Sequence, residues 1–401
     1  YSEFVDNGLI DLTTSQVAEA FGVLGQYFNL RRTNDVEIGA NGQLADSFFD
    51  RYQAANTDWF KTLFTDLSLQ QSHSLSVSGG SDEATYYFSA SYLSDEGQTI
   101  GDKAERYTTK LNTKFNLSDQ FSISTSITGS FRDQVAPGTN DRSLNLITGE
   151  FEREFEINPF SYALTNSRSV TPYDENGNLE FFRKNYAPFN IIHELKNNFI
   201  NIDVTDITFQ TDLNYQISDY IKATSTFNYR KAITQREHVI SDNSNQAEAF
   251  RADEGILATI NPFLYQDPEN PLRPRYSILP EGGFNIYNED ILDYLYWRNS
   301  ISWNPSVGDS HDFTFLLGQE IKSTNRQQRE YNGIGISYEN GFLINTNPDA
   351  IDQLNNQNDQ YFNISNFKDR FVGFFFNAGY TFDRKYTING TLRYDGSNLQ
   401  G

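Results

Sequence analysis

Few side chains in this sequence have chemistry to offer. Four histidines stand far apart, at His73, His193, His238 and His311. None has a second His or a Cys at a spacing such as H-E-x-x-H, so no zinc site is signalled. A surface or strand-end histidine is the stronger reading of each. No G-x-S-x-G nucleophile elbow occurs. Glu152, Glu154 and Glu156 lie beside Phe151 and Phe155. They form either an exposed loop strand or, as the rival reading, a general-acid pair. Acids in polar loops are usually solvated charge, so the chain is expected not to be an enzyme. Asp174-Glu175-Asn176-Gly177-Asn178 offers oxygen ligands at turn spacing. It lacks the full array and closing Glu of an EF-hand, which favours a plain tight turn over a calcium loop. No cofactor is expected, with calcium in such a loop as the one exception considered.

Binding is the better candidate for chemistry. Tyr173, Phe181, Phe182, Tyr186, Phe189, Phe263, Tyr265 and Tyr276 are interleaved with Asn, Asp and Arg. Aromatic faces stack on sugar rings, and polar neighbours orient hydroxyls. The same set would pack loops on each other or on a partner protein, and that is the stronger of the two readings.

These segments must hang from a scaffold, and its periodicity is two. From Phe121 to Arg132 the odd positions read Phe, Ile, Thr, Ile, Gly, Phe and the even ones Ser, Ser, Ser, Thr, Ser, Arg. Successive strand side chains face opposite ways, so one face is apolar and the other polar. Tyr107 to Leu117, Ile207 to Ile217, Ile221 to Tyr229, Val372 to Phe382 and Tyr386 to Tyr394 repeat the pattern. Ile291, Leu295, Trp297, Ile301 and Trp303 share a face interrupted by Asp293 and Asn299. About ten strands of roughly 9 to 15 residues emerge, longer than soluble sheets use and about what a tilted strand needs to cross a bilayer. Arg106, Lys110, Lys114, Arg132, Arg230 and Arg393 all fall on polar faces. On a lipid face each would cost a few kcal/mol, so the fold class expected is all-β, an antiparallel transmembrane β-barrel, with these cations in its lumen. Trp297, Trp303, Tyr380, Tyr386 and Tyr394 are candidates for its aromatic girdles.

The connections alternate. Short Gly, Ser, Asp and Pro turns fall at Gly79–Asp82, Ser118–Gln120, Ser218–Tyr220, Pro305–Ser310 and Asp383–Lys385. Between them run long ones, expected over Asp95–Ala104, Asp133–Asn198, Ala232–Asn288 and Lys322–Ser365. Short turns on one side and long loops on the other are the layout of an outer-membrane barrel. Residues 1–64 read as a loop-like segment with one short helix within Leu9–Leu30, and 65–401 as barrel wall.

Composition agrees. The 401 residues carry a net charge of −22 and no cysteine. No basic patch for nucleic acid is visible. Aromatics reach 15%, with 33 Phe and 24 Tyr, yet mean hydropathy is −0.60. No run of 18 apolar residues exists, which rules out a spanning helix and leaves a barrel open. Tyr1 is no initiator and Gly401 follows directly on a strand, so the chain is expected to be an internal piece of a longer protein.

Thr57-Asp58-Trp59-Phe60-Lys61, His73 to Gly80, Thr85 to Leu93, Asp95-Glu96-Gly97 and Glu105-Arg106-Tyr107 resemble, in order and spacing, the first barrel hairpins of SusC/RagA-type TonB-linked outer-membrane proteins of Bacteroidota. Phe371-Val372-Gly373, Tyr380, Lys385-Tyr386 and Leu392 to Ser397 are similar to a mid-barrel signature of that family, so the resemblance runs from about Thr57 to the end. It implies a 22-stranded barrel around an N-terminal plug, a SusD-like surface lipoprotein as lid, and energy from the TonB–ExbB–ExbD complex acting on the plug. The plug and TonB-contacting segment are not in this chain. The function expected is active import of oligosaccharides or peptides across the outer membrane. The alternatives are a barrel serving as a receptor or secretion component, and a soluble carbohydrate-binding β-sandwich or propeller.

Overall fold

The computed structural model describes residues 50–138, 143–144, 151–152, 155–255, 257–279, 281–343, 347–356 and 361–400. The helix expected within Leu9–Leu30 and the carboxylates Glu152 and Glu154 lie outside the residues or side chains described. The wall is one antiparallel sheet of ten successive strands. They are β1 (Gln70–Gly80), β2 (Ala84–Glu96), β3 (Lys103–Asn116), β4 (Phe121–Pro137), β5 (Asn198–Ser218), β6 (Ile221–Ile240), β7 (Gly283–Trp303), β8 (His311–Ser337), β9 (Phe362–Phe382) and β10 (Tyr386–Ser397). Each pairs with its neighbours in sequence, as in a meander. Two-residue strands at Ser306–Val307 and Phe342–Leu343 add to β8.

The register sorts the side chains by solvent. Phe88, Leu111, Ile127, Phe209, Tyr229 and Leu295 stand directly opposite one another across six strands. From Ile301 on β7, Leu317, Phe376 and Leu392 continue the apolar face across three more. Leu75, Leu317, Tyr386, Ile388, Leu392 and Tyr394 are each 58% exposed or more, which a water-facing sheet would not sustain over so wide a patch. That is the lipid face. The opposite face reads Tyr87, Asn112, Ser126, Gln210, Asn228 and Tyr296 along one row, with Ser126 donating to Asn112 Oδ1 at 2.8 Å. That is the lumen.

The apolar band stops abruptly on β3, β4, β6 and β7. Going away from the short turns, Tyr107 is followed on its face by Glu105, Phe131 by Asp133, Tyr229 by Lys231 and Leu295 by Asp293. Asp293 therefore sits above the lipid, where it pairs with Lys231 at 3.5 Å and accepts from Tyr229 Oη at 2.9 Å. Asn299 is a true polar break in the band, opposite Ser225 and Gln319. Trp303, Tyr380 and Tyr386 gather at the turn end, where His311 bonds Tyr380 Oη at 2.7 Å; Trp297 and Tyr394 lie further up.

The strands outrun the bilayer. β5, β7 and β9 have 21 residues and β8 has 27, against the roughly 9–11 that crossing takes. This corrects the expected loop boundaries. Ala232–Ile240, Gly283–Asn288 and Lys322–Ser337 are strand, and the link between β2 and β3 is short, Gly97–Asp102. Three long connections remain, 138–197, 241–282 and 338–361, all at the end opposite the short turns. At the last turn Asp383 and Arg384 both hold left-handed φ, +50° and +53°, as a tight hairpin requires.

Candidate functional site

Two surfaces can meet a solute or partner: a shelf built by the long connections, and the lumen wall below it. The shelf has its own cores. Helix α1 (Trp59–Leu63) is capped by Asp58, whose carboxylate accepts from Lys61 N. It buries Trp59 and Leu63 against Ile157, Tyr162, Phe189, Ile191 and Leu195. Tyr162 belongs to α2 (Pro159–Thr165), started by Asn158 and a proline at its first turn. Ile191 and Leu195 belong to α3 (Ile191–Asn197), started by Asn190. A second core joins the strand tops Ile240, Phe284 and Ile334 to Ala247, Tyr265, Leu279 and Ala350 of the second and third connections. Tyr52, Trp59 and Leu63, ahead of β1, are thus part of the shelf.

Polar clasps fix the connections to one another. Asn245, in α4 (Asn245–Ala249), is 1% exposed; its amide donates to the carbonyls of Lys184 (2.7 Å), Ala187 (3.0 Å) and Pro188 (3.0 Å). Its backbone N–H donates to Glu194 Oε1 at 2.9 Å. Asn190 ties Pro172 and Glu180 carbonyls together, each at 2.8 Å. Arg51 pairs with Glu180 and donates to Thr171 Oγ1 at 3.1 Å. His238, at the top of β6 well above the apolar band, donates from Nε2 to Asn198 Oδ1 at 2.6 Å. Gly138 is required beside that bond, because a Cβ there would stand 1.8 Å from Asn198 Oδ1.

Burial raises the Glu194 carboxyl to about 8 from 4.5, against the opposing pull of the Asn245 N–H. Burial lowers His238 to about 4 from 6.5, reinforced by Arg236. The two signs differ. The folded shelf holds the Glu194 proton more tightly than the open one, so that stabilisation is full below pH 4.5 and is lost as pH rises toward 8. The folded shelf resists protonation of His238, so that stabilisation is lost as pH falls below 6.5. Between 4.5 and 6.5 the two slopes offset each other. Amide exchange from α3 and α4, corrected for intrinsic chemistry, should stay flat over that window and rise from pH 6.5 to 8. Glu194→Gln should abolish the rise; a rise that persists in the variant would contradict it.

The aromatic candidates are largely spent on the shelf itself. Phe189 is 0% exposed, between Tyr162 and Phe182, with Lys184 Nζ 4.6 Å from its ring centre. Tyr265 is 7% exposed and bridges antiparallel to Tyr276, whose hydroxyl donates to Asp349 at 2.7 Å. Phe189 and Tyr265 are buried within the shelf's cores, where they pack its loops on each other. Phe263 lies against Phe155, Phe250 and Tyr186, and Phe181 meets the His193 ring at 5.2 Å. Of the eight, Tyr173 alone is exposed, at 45%. Beside it the Asp174 carboxylate closes its own turn by accepting from the Asn176 and Asn178 N–H groups, 2.8 Å each. The Asn178 N–H chiefly holds that carboxyl below its usual range. The clasp residues Asn190, Glu194, Asn198 and Asn245 escaped sequence reasoning, their only trace an Asn or Ser ahead of α2, α3 and α4; His238, read as a surface or strand-end histidine, is at a strand end but only 2% exposed.

On the lumen wall the expected cations divide into two sets. Arg230 is held by Asp206 through three hydrogen bonds of 2.6–3.1 Å. Arg393 bonds Asp395 at 2.9 Å and also pairs with Glu320, a buried carboxylate that accepts from Tyr296 Oη at 3.1 Å. Arg298 and Lys322 sit over the Phe375 and Phe371 rings at 4.8 and 5.1 Å. Gly318 makes room for Phe375, since a Cβ would stand 2.2 Å from the ring. Arg106, Lys110, Lys114 and Arg132 are exposed and have no partner within salt-bridge distance among the described residues.

No protein-family profile matches the chain. TonB-dependent receptor P39 of Formosa agariphila is 22% identical over 388 residues, 93% of this chain and 30% of that protein. TonB-dependent receptor P3 of the same organism is 33% identical over 75 residues, 19% of this chain. The chain thus spans under a third of the relatives it matches. Among solved structures, the RagAB peptide importer in its open-open state superposes with a TM-score of 0.60 over 99% of this chain and 38% of that one, at 17% identity. Its closed-closed state gives 0.56 over 88% of this chain. This likeness shows the fold: the chain is similar to a stretch of the all-β barrel wall of these proteins.

Proposed function

We propose that this chain forms part of the barrel and the extracellular rim of a TonB-dependent outer-membrane importer of oligosaccharides or peptides. One observation carries the reading: a polar, charged lumen face runs the length of the wall and ends under a shelf whose loops are locked together by buried clasps. A barrel serving as a receptor or secretion component would share the polar wall, and loss of uptake on deletion separates the two. A locked rim suits a SusD-like lipoprotein, which would close over it as a lid. The mechanism is conformational. Solute enters between lid and plug, and TonB with ExbB and ExbD draws part of the plug aside. The chain's part is to hold the wall rigid and the rim in register, and no bond-making chemistry is assigned to it. The full-length protein extracted in mild detergent should carry a stoichiometric lipoprotein in native mass spectrometry, and deleting its gene should stop uptake of an oligosaccharide or peptide. A barrel purified with secretion components alone, with nutrient uptake unchanged in the deletion, would overturn the reading.

A further inference from the structure

We propose that Arg106, Lys110 and Lys114 of β3, with Arg132 of β4, form an anion-binding stripe on the lumen wall for cargo carrying repeated carboxylates. The inference rests on the importer reading and names the chemistry of what passes.

Three observations meet here. The first is spacing. The β3 cations recur every four residues on one face, about 13 Å apart at a strand's rise, so they run along the direction of transport. The second is the surroundings. Across the row of Lys110 stand Ser76, Ser89 and Thr128; across that of Lys114 stand Thr85 and Ser124. No carboxylate faces the stripe from β1, β2 or β4 between the rows of Arg106 and Lys114. From β5, Asp206 is already held by Arg230, and Asp212 accepts from Thr226 at 2.6 Å. The third is repulsion. Arg106 and Arg132 are direct cross-strand partners. Like charges so placed disfavour each other unless an anion lies between them. In a chain of net charge −22, four cations on one face with no salt-bridge partner among the described residues stand out.

A fixed protein surface is the less fitting occupant. Protein contacts centre on apolar and aromatic residues with charge kept to the rim, and here only Tyr87 and Leu93 break a field of hydroxyls. Hydroxyls and spaced cations suit a hydrated solute that is held briefly and passed on.

The test uses the full-length protein in a strain lacking its gene. Probes are trigalacturonate and hexaglutamate, with maltotriose and hexaglycine as neutral counterparts. The R106Q/K110Q/K114Q variant should import the favoured anionic probe about tenfold more slowly while neutral uptake stays within about twofold. Loss confined to trigalacturonate identifies a saccharide cargo, and loss confined to hexaglutamate a peptide. Unchanged anionic uptake overturns the stripe. So does equal loss for neutral probes in folded variant protein, which would mark a structural contact. If wild-type protein imports no probe, the importer reading fails first. Calorimetry on the purified protein then decides the stripe separately, and equal binding of both anions by wild type and variant sinks it.

Discussion

Ile127→Arg should sharply reduce the amount of assembled barrel, whereas Ser126→Arg, one residue away, should leave it nearly unchanged. The two positions sit mid-strand in β4, near the centre of the apolar band from Phe121 to Phe131. Ile127 lies on the row that links Leu111 to Phe209, and Ser126 on the row that links Asn112 to Gln210. A guanidinium at the bilayer centre costs about 2–4 kcal/mol on a lipid face and far less in a lumen. Ser126→Arg loses one hydrogen bond to Asn112, about 1 kcal/mol. Heat-modifiable mobility of outer-membrane protein reads the folded fraction. Equal effects from the two substitutions would mean that the faces have been assigned without basis.

Asn245→Ala should open the shelf while the wall keeps its melting temperature. The amide holds three carbonyls of one connection from a helix of another, and it is almost wholly buried. Truncation leaves those acceptors unsatisfied, a local cost of about 2–4 kcal/mol. Hydrogen exchange should quicken in Phe182–Asn197 and Asn245–Ala249, and protease should cut there first. Asn245→Asp should be at least as damaging, since a carboxylate would face the same three carbonyls. Native-like exchange in either variant would show that the hydrophobic cores alone hold the connections together.

The wall was legible in the sequence because two solvents sort its residues. Where lipid lies on one side and water on the other, alternation is strong, as from Phe121 to Phe131. Above the lipid both sides are wet and alternation fades. Lys322 to Asn332 is polar throughout, yet it is strand because β7 and β9 pair with it on both sides. That is why the strands looked too short and the loops too long. The shelf was harder to see. Its helices have four to nine residues, too few for a helical period, and the caps of α1 to α4 are single Asn, Ser or Asp side chains. Composition cannot say whether Phe189 packs or binds, because either use needs the same ring. The lumen face of Arg393 was readable, but its partner Glu320 is 73 residues away and becomes visible only when the register is known.

The chain has no cysteine, so single cysteines along β4 report the two faces directly. Ser122 to Thr128 would each be replaced in turn in the full-length protein, with any cysteine elsewhere removed, and treated in intact membranes with a water-soluble maleimide. The account predicts a strict alternation: labelling at Ser122, Ser124, Ser126 and Thr128, and protection at Ile123, Thr125 and Ile127, which should react only with a lipid-soluble reagent. Labelling at consecutive positions, or protection of the serine face with access to the isoleucine face, would contradict a lipid-facing wall around a polar lumen.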